Sequence, residues 1–115
     1  MRSYQDWQKQ HPQKADLLQR CAAAIREAAP DAEVILYGSV ARGDDHAKSD
    51  VDLLVLVPQE VTYELKRTIS DSIYEIELAS DQLVSLIIRQ RVKWNSEPLS
   101  FTPLHREITR DGVNI

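Results

Sequence analysis

The sequence predicts an α/β or α+β domain, a β-sheet with helices packed on it. Three observations predict it. Short apolar runs at 33–37 and 50–57 read as buried strands. Apolar residues recur at three- and four-residue spacing through 12–29 and 59–79, the mark of amphipathic helices. Strand and helix then alternate along the chain with only short punctuation between them. At 115 residues the chain is read as one domain, 1–115.

In the first helix, Leu17, Leu18, Cys21, Ala24, Ile25 and Ala28 share one face. Pro12 suits its first helical position and Pro30 stops it. The run 33–37 ends at Gly38 and is a buried strand, with a helical turn or short helix at 39–42. Residues 43–49 are polar and form a loop. The run 50–57 is a second strand, closed by Pro58. Val61, Leu65, Ile69, Ile73 and Ile76 then line a long amphipathic helix over 59–79. Val84, Leu86 and Ile88 alternate in a third strand over 83–89. Pro98 and Pro103 precede a short helix at 104–110, and Gly112 stands where a left-handed C-cap belongs.

Composition narrows the function classes. Hydrophobic residues are 43% and charged residues 28%, an ordinary globular balance. The single cysteine, Cys21, excludes an intrachain disulfide and a cysteine-built zinc site. Its place on the apolar face makes it a buried structural thiol. No apolar run approaches a membrane span, and the first ten residues lack the apolar core of a signal peptide. The expected location is the cytoplasm. The net charge is −4, and it is concentrated: residues 44–81 carry three Lys/Arg against ten Asp/Glu. That middle would repel a nucleic-acid backbone, and it suits a site that collects divalent cations. Most of its acids also read simply as a solvated helix face.

The densest chemistry lies between Tyr37 and Val57. Gly38-Ser39 follows a strand and precedes a helical turn, where free backbone N–H groups favour an anion. Glycine permits close approach of a phosphate, the serine hydroxyl adds a donor, and Arg42 adds charge. A Gly-Ser after a strand is also how a plain turn is built. Gly38 and Gly43 have the spacing of a Walker A loop, but Asp44-Asp45 replaces its Lys-Ser/Thr, and no Gly-x-Gly-x-x-Gly exists. Asp50 and Asp52 open the next strand and, two residues apart, face the same side. Paired carboxylates suit magnesium held together with substrate phosphates. Alone they also read as acids facing water. Together, the two pieces put phosphate donors and metal ligands on neighbouring strands, the apparatus of phosphoryl or nucleotidyl transfer.

Gly38-Ser39-Val40-Ala41-Arg42-Gly43, followed by Ser49-Asp50-Val51-Asp52-Leu53-Leu54-Val55, resembles the signature of the DNA polymerase beta nucleotidyltransferase superfamily. Its small stand-alone members, the minimal nucleotidyltransferases, are the most similar. The resemblance implies a small mixed β-sheet flanked by helices, like the polymerase palm. It implies that Gly38 and Ser39 hold the triphosphate and that Asp50 and Asp52 coordinate Mg2+. It also implies transfer of a nucleoside monophosphate, AMP from ATP, with release of pyrophosphate. The implied acceptor is a helical HEPN-type partner, this chain being the antitoxin of a toxin–antitoxin pair. Active members carry a third carboxylate on the strand after the long helix, and Ser85 occupies the matching place. Glu75, Glu77 and Asp81 are nearby candidates to replace it.

Two alternatives stay open. One is a catalytically degenerate module of the same fold that binds a helical partner. The other is a small-molecule modifier, whose pocket a homo-oligomer or partner would have to complete. The remaining candidates are scattered. His46 lies in the acidic loop, beside nucleotide or facing solvent, and His11 and His105 form no pattern with it. Asp44 and Asp45 read as solvated loop acids. Ser39 has neither a Gly-x-Ser-x-Gly elbow nor a spaced histidine–acid pair. Trp7 and Trp94 are core if buried and a partner surface if exposed. The basic stretch 89–93 reads as a charge-protected strand edge, or as a neutraliser of phosphate or an acidic partner.

Overall fold

The computed structural model describes residues 1–44 and 49–115. Asp45 and His46, weighed above, lie outside the described residues. Five strands form one mixed sheet in the order β1-β5-β2-β3-β4: β1 (Arg2–Ser3), β2 (Glu33–Tyr37), β3 (Val51–Val57), β4 (Val84–Gln90) and β5 (Val113–Asn114). β2 runs antiparallel to both β3 and β5; β3 and β4 are parallel, as are β1 and β5. The α/β reading with a small mixed sheet therefore holds. The three long strands match the expected runs to within one residue at either end.

β3 is the strand around which the fold closes. Covered on both faces, it reads as a continuous apolar run rather than an alternation. Asp52 is the one residue of β3 that is not buried. On one face, Val51, Leu53, Val55 and Val57 pack with Leu18 and Ile25 of α2 (Ala15–Ala28) and Ile69 and Ile73 of α4 (Tyr63–Ser80). Cys21 lies in this layer, and burial pushes its thiol up to about 11, which makes it inert. On the other face, Leu54 and Leu56 meet Ile35 and Tyr37 of β2, Trp94 of α5 (Arg91–Trp94) and Ile108 of α6 (Pro103–Asp111). Both tryptophans are buried, so they are packing, not an exposed partner surface.

Two of the helices begin at a threonine cap. Thr62 accepts the Leu65 N–H at 3.1 Å and opens α4. Thr102 accepts the His105 N–H at 3.2 Å, with Pro103 at the first position of α6. Pro12 opens a 3-10 turn, Pro12–Lys14, and α2 starts only at Ala15. The proline marks the entry without being the first α-helical residue.

Two further expectations need correction. The long helix begins at Tyr63, after its Thr62 cap, so residues 59–62, Val61 among them, precede it. Gly112 is not a left-handed cap; its φ is −64° and its ψ 151°, the backbone of an extended strand entry. It is glycine because a β-carbon there would come within 2.5 Å of the Ile108 carbonyl oxygen and 2.9 Å of Ile35 Cγ2. Left-handed caps stand instead at Gly43, φ 78°, after the short helix Gly38–Arg42, and at Asp81, φ 55°, at the end of α4. The N-terminal residues also form elements, β1 and α1 (Tyr4–Gln10), which the periodicity of so short a stretch does not reveal.

Candidate functional site

Strand register builds the site. Tyr37, Asp52 and Ser85 lie side by side on β2, β3 and β4. Alternation places Asp50 and Asp52 on the face of α5 and α6, away from α2 and α4. α3 (Gly38–Arg42) starts directly after Tyr37, so its first residue stands over Asp52. Gly38 has φ +78°, and a β-carbon there would overlap Asp52 Oδ2. The turn expected to bind phosphate and the carboxylate expected to bind metal are therefore in contact. Ser39 is half-buried, and no side chain caps the first turn of α3.

The carboxylates are held from behind. Gln82 Nε2 donates to the Ser49 carbonyl at 2.7 Å, and the Val51 N–H donates to the Leu83 carbonyl at 2.9 Å, which fixes the entry to β3 around Asp50. Lys14 Nζ in turn donates to Gln82 Oε1 at 2.9 Å. Burial raises the pKa of Asp52, and the charges of Asp50 and Glu107 add to it, with Arg42 opposing. Burial and the same negative surroundings, Asp52 and Glu107, push Tyr37 up to about 12. Two close acids, one partly desolvated, are what a divalent cation relieves. Among the described residues no group of three metal-ligating side chains gathers. Asp50 and Asp52 thus fit Mg2+ as a pair whose remaining ligands would have to come from phosphate and water.

Arg42 is engaged. Its Nη1 donates to Glu107 Oε1 at 2.8 Å and its Nε to Asp44 Oδ2 at 3.2 Å. Glu107, on α6, was not singled out in the sequence. It falls three residues after Leu104 and one before Ile108, at the border of the face that α6 buries. Of the acids considered as replacements at position 85, Glu75 and Glu77 belong to α4, whose buried face packs on the opposite side of the sheet. Glu77 is also occupied, accepting the Val84 N–H at 2.8 Å. Asp81 ends the same helix. Ser85 itself is exposed on the face of Asp52. Ser85→Asp is accordingly expected to tighten Mn2+ binding by about tenfold, since it completes a three-carboxylate set. Electron paramagnetic titration of free Mn2+ measures it. Unchanged affinity would show that position 85 does not reach the cation.

His11 stacks on Trp7 with ring centroids 4.6 Å apart, and His105 stacks on Trp94 at 4.9 Å. Asp44 is exposed and paired with Arg42.

A mixed sheet presenting a Gly-Ser turn against an Asp-x-Asp strand defines a nucleotidyltransferase-type site. The chain belongs to the nucleotidyltransferase domain family, whose model matches residues 18–112. A Methanocaldococcus jannaschii protein named for protein adenylyltransferase activity is 43% identical over 58 residues. That match covers 50% of this chain and 59% of the relative, so the chain spans only about three fifths of its length. Two solved structures share the fold. A toxin–antitoxin complex with AMP-PNP has a TM-score of 0.59 at 21% identity, covering 82% of this chain and 68% of its own. A double Asp-to-Glu mutant of the toxin–antitoxin pair MntA–HpeT has a TM-score of 0.58 at 19% identity, with the same coverage.

Proposed function

We propose that this chain is a Mg2+-dependent nucleotidyltransferase that moves AMP from ATP onto a protein acceptor, a helical HEPN-type partner, as the antitoxin of a toxin–antitoxin pair. One observation carries the reading: the Gly38 backbone lies against the Asp52 carboxylate, so triphosphate and metal would share one small space. The relative named for adenylyl transfer and the AMP-PNP complex of a fold neighbour support the choice of ATP and of a protein partner.

Each residue has a task in this reading. Gly38 lets the phosphates approach the backbone, and Ser39 donates its hydroxyl. Asp50 and Asp52 hold the cation, which when bound neutralises charge developing on the transferred phosphate. Arg42 exchanges a carboxylate partner for a phosphate oxygen, a charge-assisted bond of the same kind. Positioning and electrostatics then supply most of the rate. A second reading, a degenerate module that only binds its partner, is favoured by the absence of an acid at Ser85.

Incubation with α-labelled ATP and Mg2+ in lysate of the source organism separates the two. The expected result is a labelled protein band that disappears in Asp50→Ala/Asp52→Ala. Absence of any band with all four labelled nucleoside triphosphates would favour the degenerate module.

A further inference from the structure

We propose that residues 2–11 form a strap that positions the 38–43 turn for the triphosphate, with Arg2 and Trp7 as its positioning residues. The inference rests on the nucleotidyl-transfer reading above and adds residues outside the 38–55 signature. The strap lies ahead of the segment, 18–112, matched by the family.

Its contacts converge on one end of α3. Trp7 is 3% exposed, and its Nε1 donates to the Ala41 carbonyl at 3.0 Å. Arg2 Nη2 donates to the same carbonyl at 2.6 Å and to the Asp111 carbonyl at 2.6 Å. Those carbonyls close the C-terminal turns of α3 and α6, where backbone acceptors lack intrahelical partners and favour a cation. The two helices carry Arg42 and Glu107, so a single guanidinium ties together the pair that flanks the site. His11 completes the hold. Its ring stacks on Trp7 and lies so close over Gly43 that a β-carbon there would come within 2.7 Å of Cε1. The strap is itself anchored by β1 on β5, with the Arg2 N–H donating to the Gly112 carbonyl at 2.8 Å.

α3 needs such support. It is five residues long, too short to be stable by its own hydrogen bonds. The backbone that carries the carboxylates is held independently of α3: Asp52 by the pairing of β3 with β2 and β4, and the chain around Asp50 by the Gln82 and Leu83 bonds. Loosening the strap should therefore disturb the phosphate side of the site and spare the metal side.

Trp7→Phe keeps a buried ring and removes the donor; Arg2→Ala removes the other donor from an exposed side chain. Loss of one such bond is expected to weaken ATP–Mg2+ binding, read by calorimetry, by about 3- to 10-fold. Binding of Mn2+ alone should not change. The Gly43 and Asp44 amides, which donate to Val40 and Ser39, should exchange with deuterium faster by a similar factor, while β3 amides keep their rates. Unchanged exchange at Gly43 and Asp44 in both variants overturns the strap, as does a uniform acceleration through the whole sheet. Wild-type protein that fails to bind ATP would sink the nucleotidyl-transfer reading instead, and the exchange experiment would still decide whether the strap holds the turn.

Discussion

Asp52→Asn is expected to lower nucleotidyl transfer by about 10³-fold or more, because it removes a metal-ligating charge at the reacting phosphate. The fold should survive. Asp52 is the one polar residue on a strand otherwise buried, and its raised pKa says that the folded protein holds its charged form reluctantly. The sign follows from linkage. Between the unfolded pKa and the raised folded one, the native state binds more protons than the unfolded chain, so stability falls as pH rises through that window. Above it, the full penalty of the ionised carboxylate is present. Asparagine carries no charge, so the metal-free variant should melt at or above the wild type at neutral pH. The order should reverse with Mg2+, which stabilises by mass action only where it binds. Thermal melts with and without Mg2+, alongside labelled transfer, test both halves. Transfer retained by Asp52→Asn would sink the site assignment. A metal-free variant that melts well below the wild type would show that the carboxylate is structural.

The long elements were legible because each one buries a regular face. Leu65, Ile69, Ile73 and Ile76 can be read as a helix because α2 and the sheet cover one side of it; Val61, read with them, packs on the same core but lies ahead of α4, before its Thr62 cap. β3 can be read as a strand because it is covered on both faces. The short elements were not legible for the converse reason. β1 and β5 are two residues each, too short for any periodicity, and they exist because they pair with each other and with β2. Gly112 looked like a helix cap because glycine after a helix usually is one. Its real constraint is space: a β-carbon would meet the Ile108 carbonyl of the preceding turn and the Ile35 side chain, which only the folded sheet brings there.

The site divides along the same line. Gly38, Ser39, Asp50 and Asp52 could be picked out because their chemistry is local: adjacent residues, or residues two apart on a strand. Glu107 could not, since its part depends on α6 crossing to α3 and placing it 2.8 Å from Arg42. Nor could Gln82, which reaches back to the Ser49 carbonyl from the far end of α4. The sequence offers Arg42 as an added charge for phosphate, and only the tertiary structure shows that two carboxylates already pair with it.

Gly38→Ala should be the most damaging single-atom addition to the site. At φ +78° any L-residue strains the backbone, and that alone costs about 1–2 kcal/mol. The new methyl would also overlap Asp52 Oδ2, with Cγ at 3.2 Å and Cβ at 3.4 Å behind it. The carboxylate must rotate away, and a rotated Asp52 no longer pairs with Asp50 across a cation. The expected outcome is transfer at background level and Mn2+ affinity reduced by about tenfold or more, the scale of a misplaced ligand. Gly43→Ala is the matched control. Gly43 has the same φ, +78°, so the backbone strain is equal, but its β-carbon would meet the edge of the His11 ring instead. Gly43→Ala should therefore lose comparable stability in a denaturant melt while binding Mn2+ normally. Equal loss of Mn2+ affinity in both variants would mean that strain in the turn, and not the approach of Gly38 to Asp52, is what the glycine is there to accommodate.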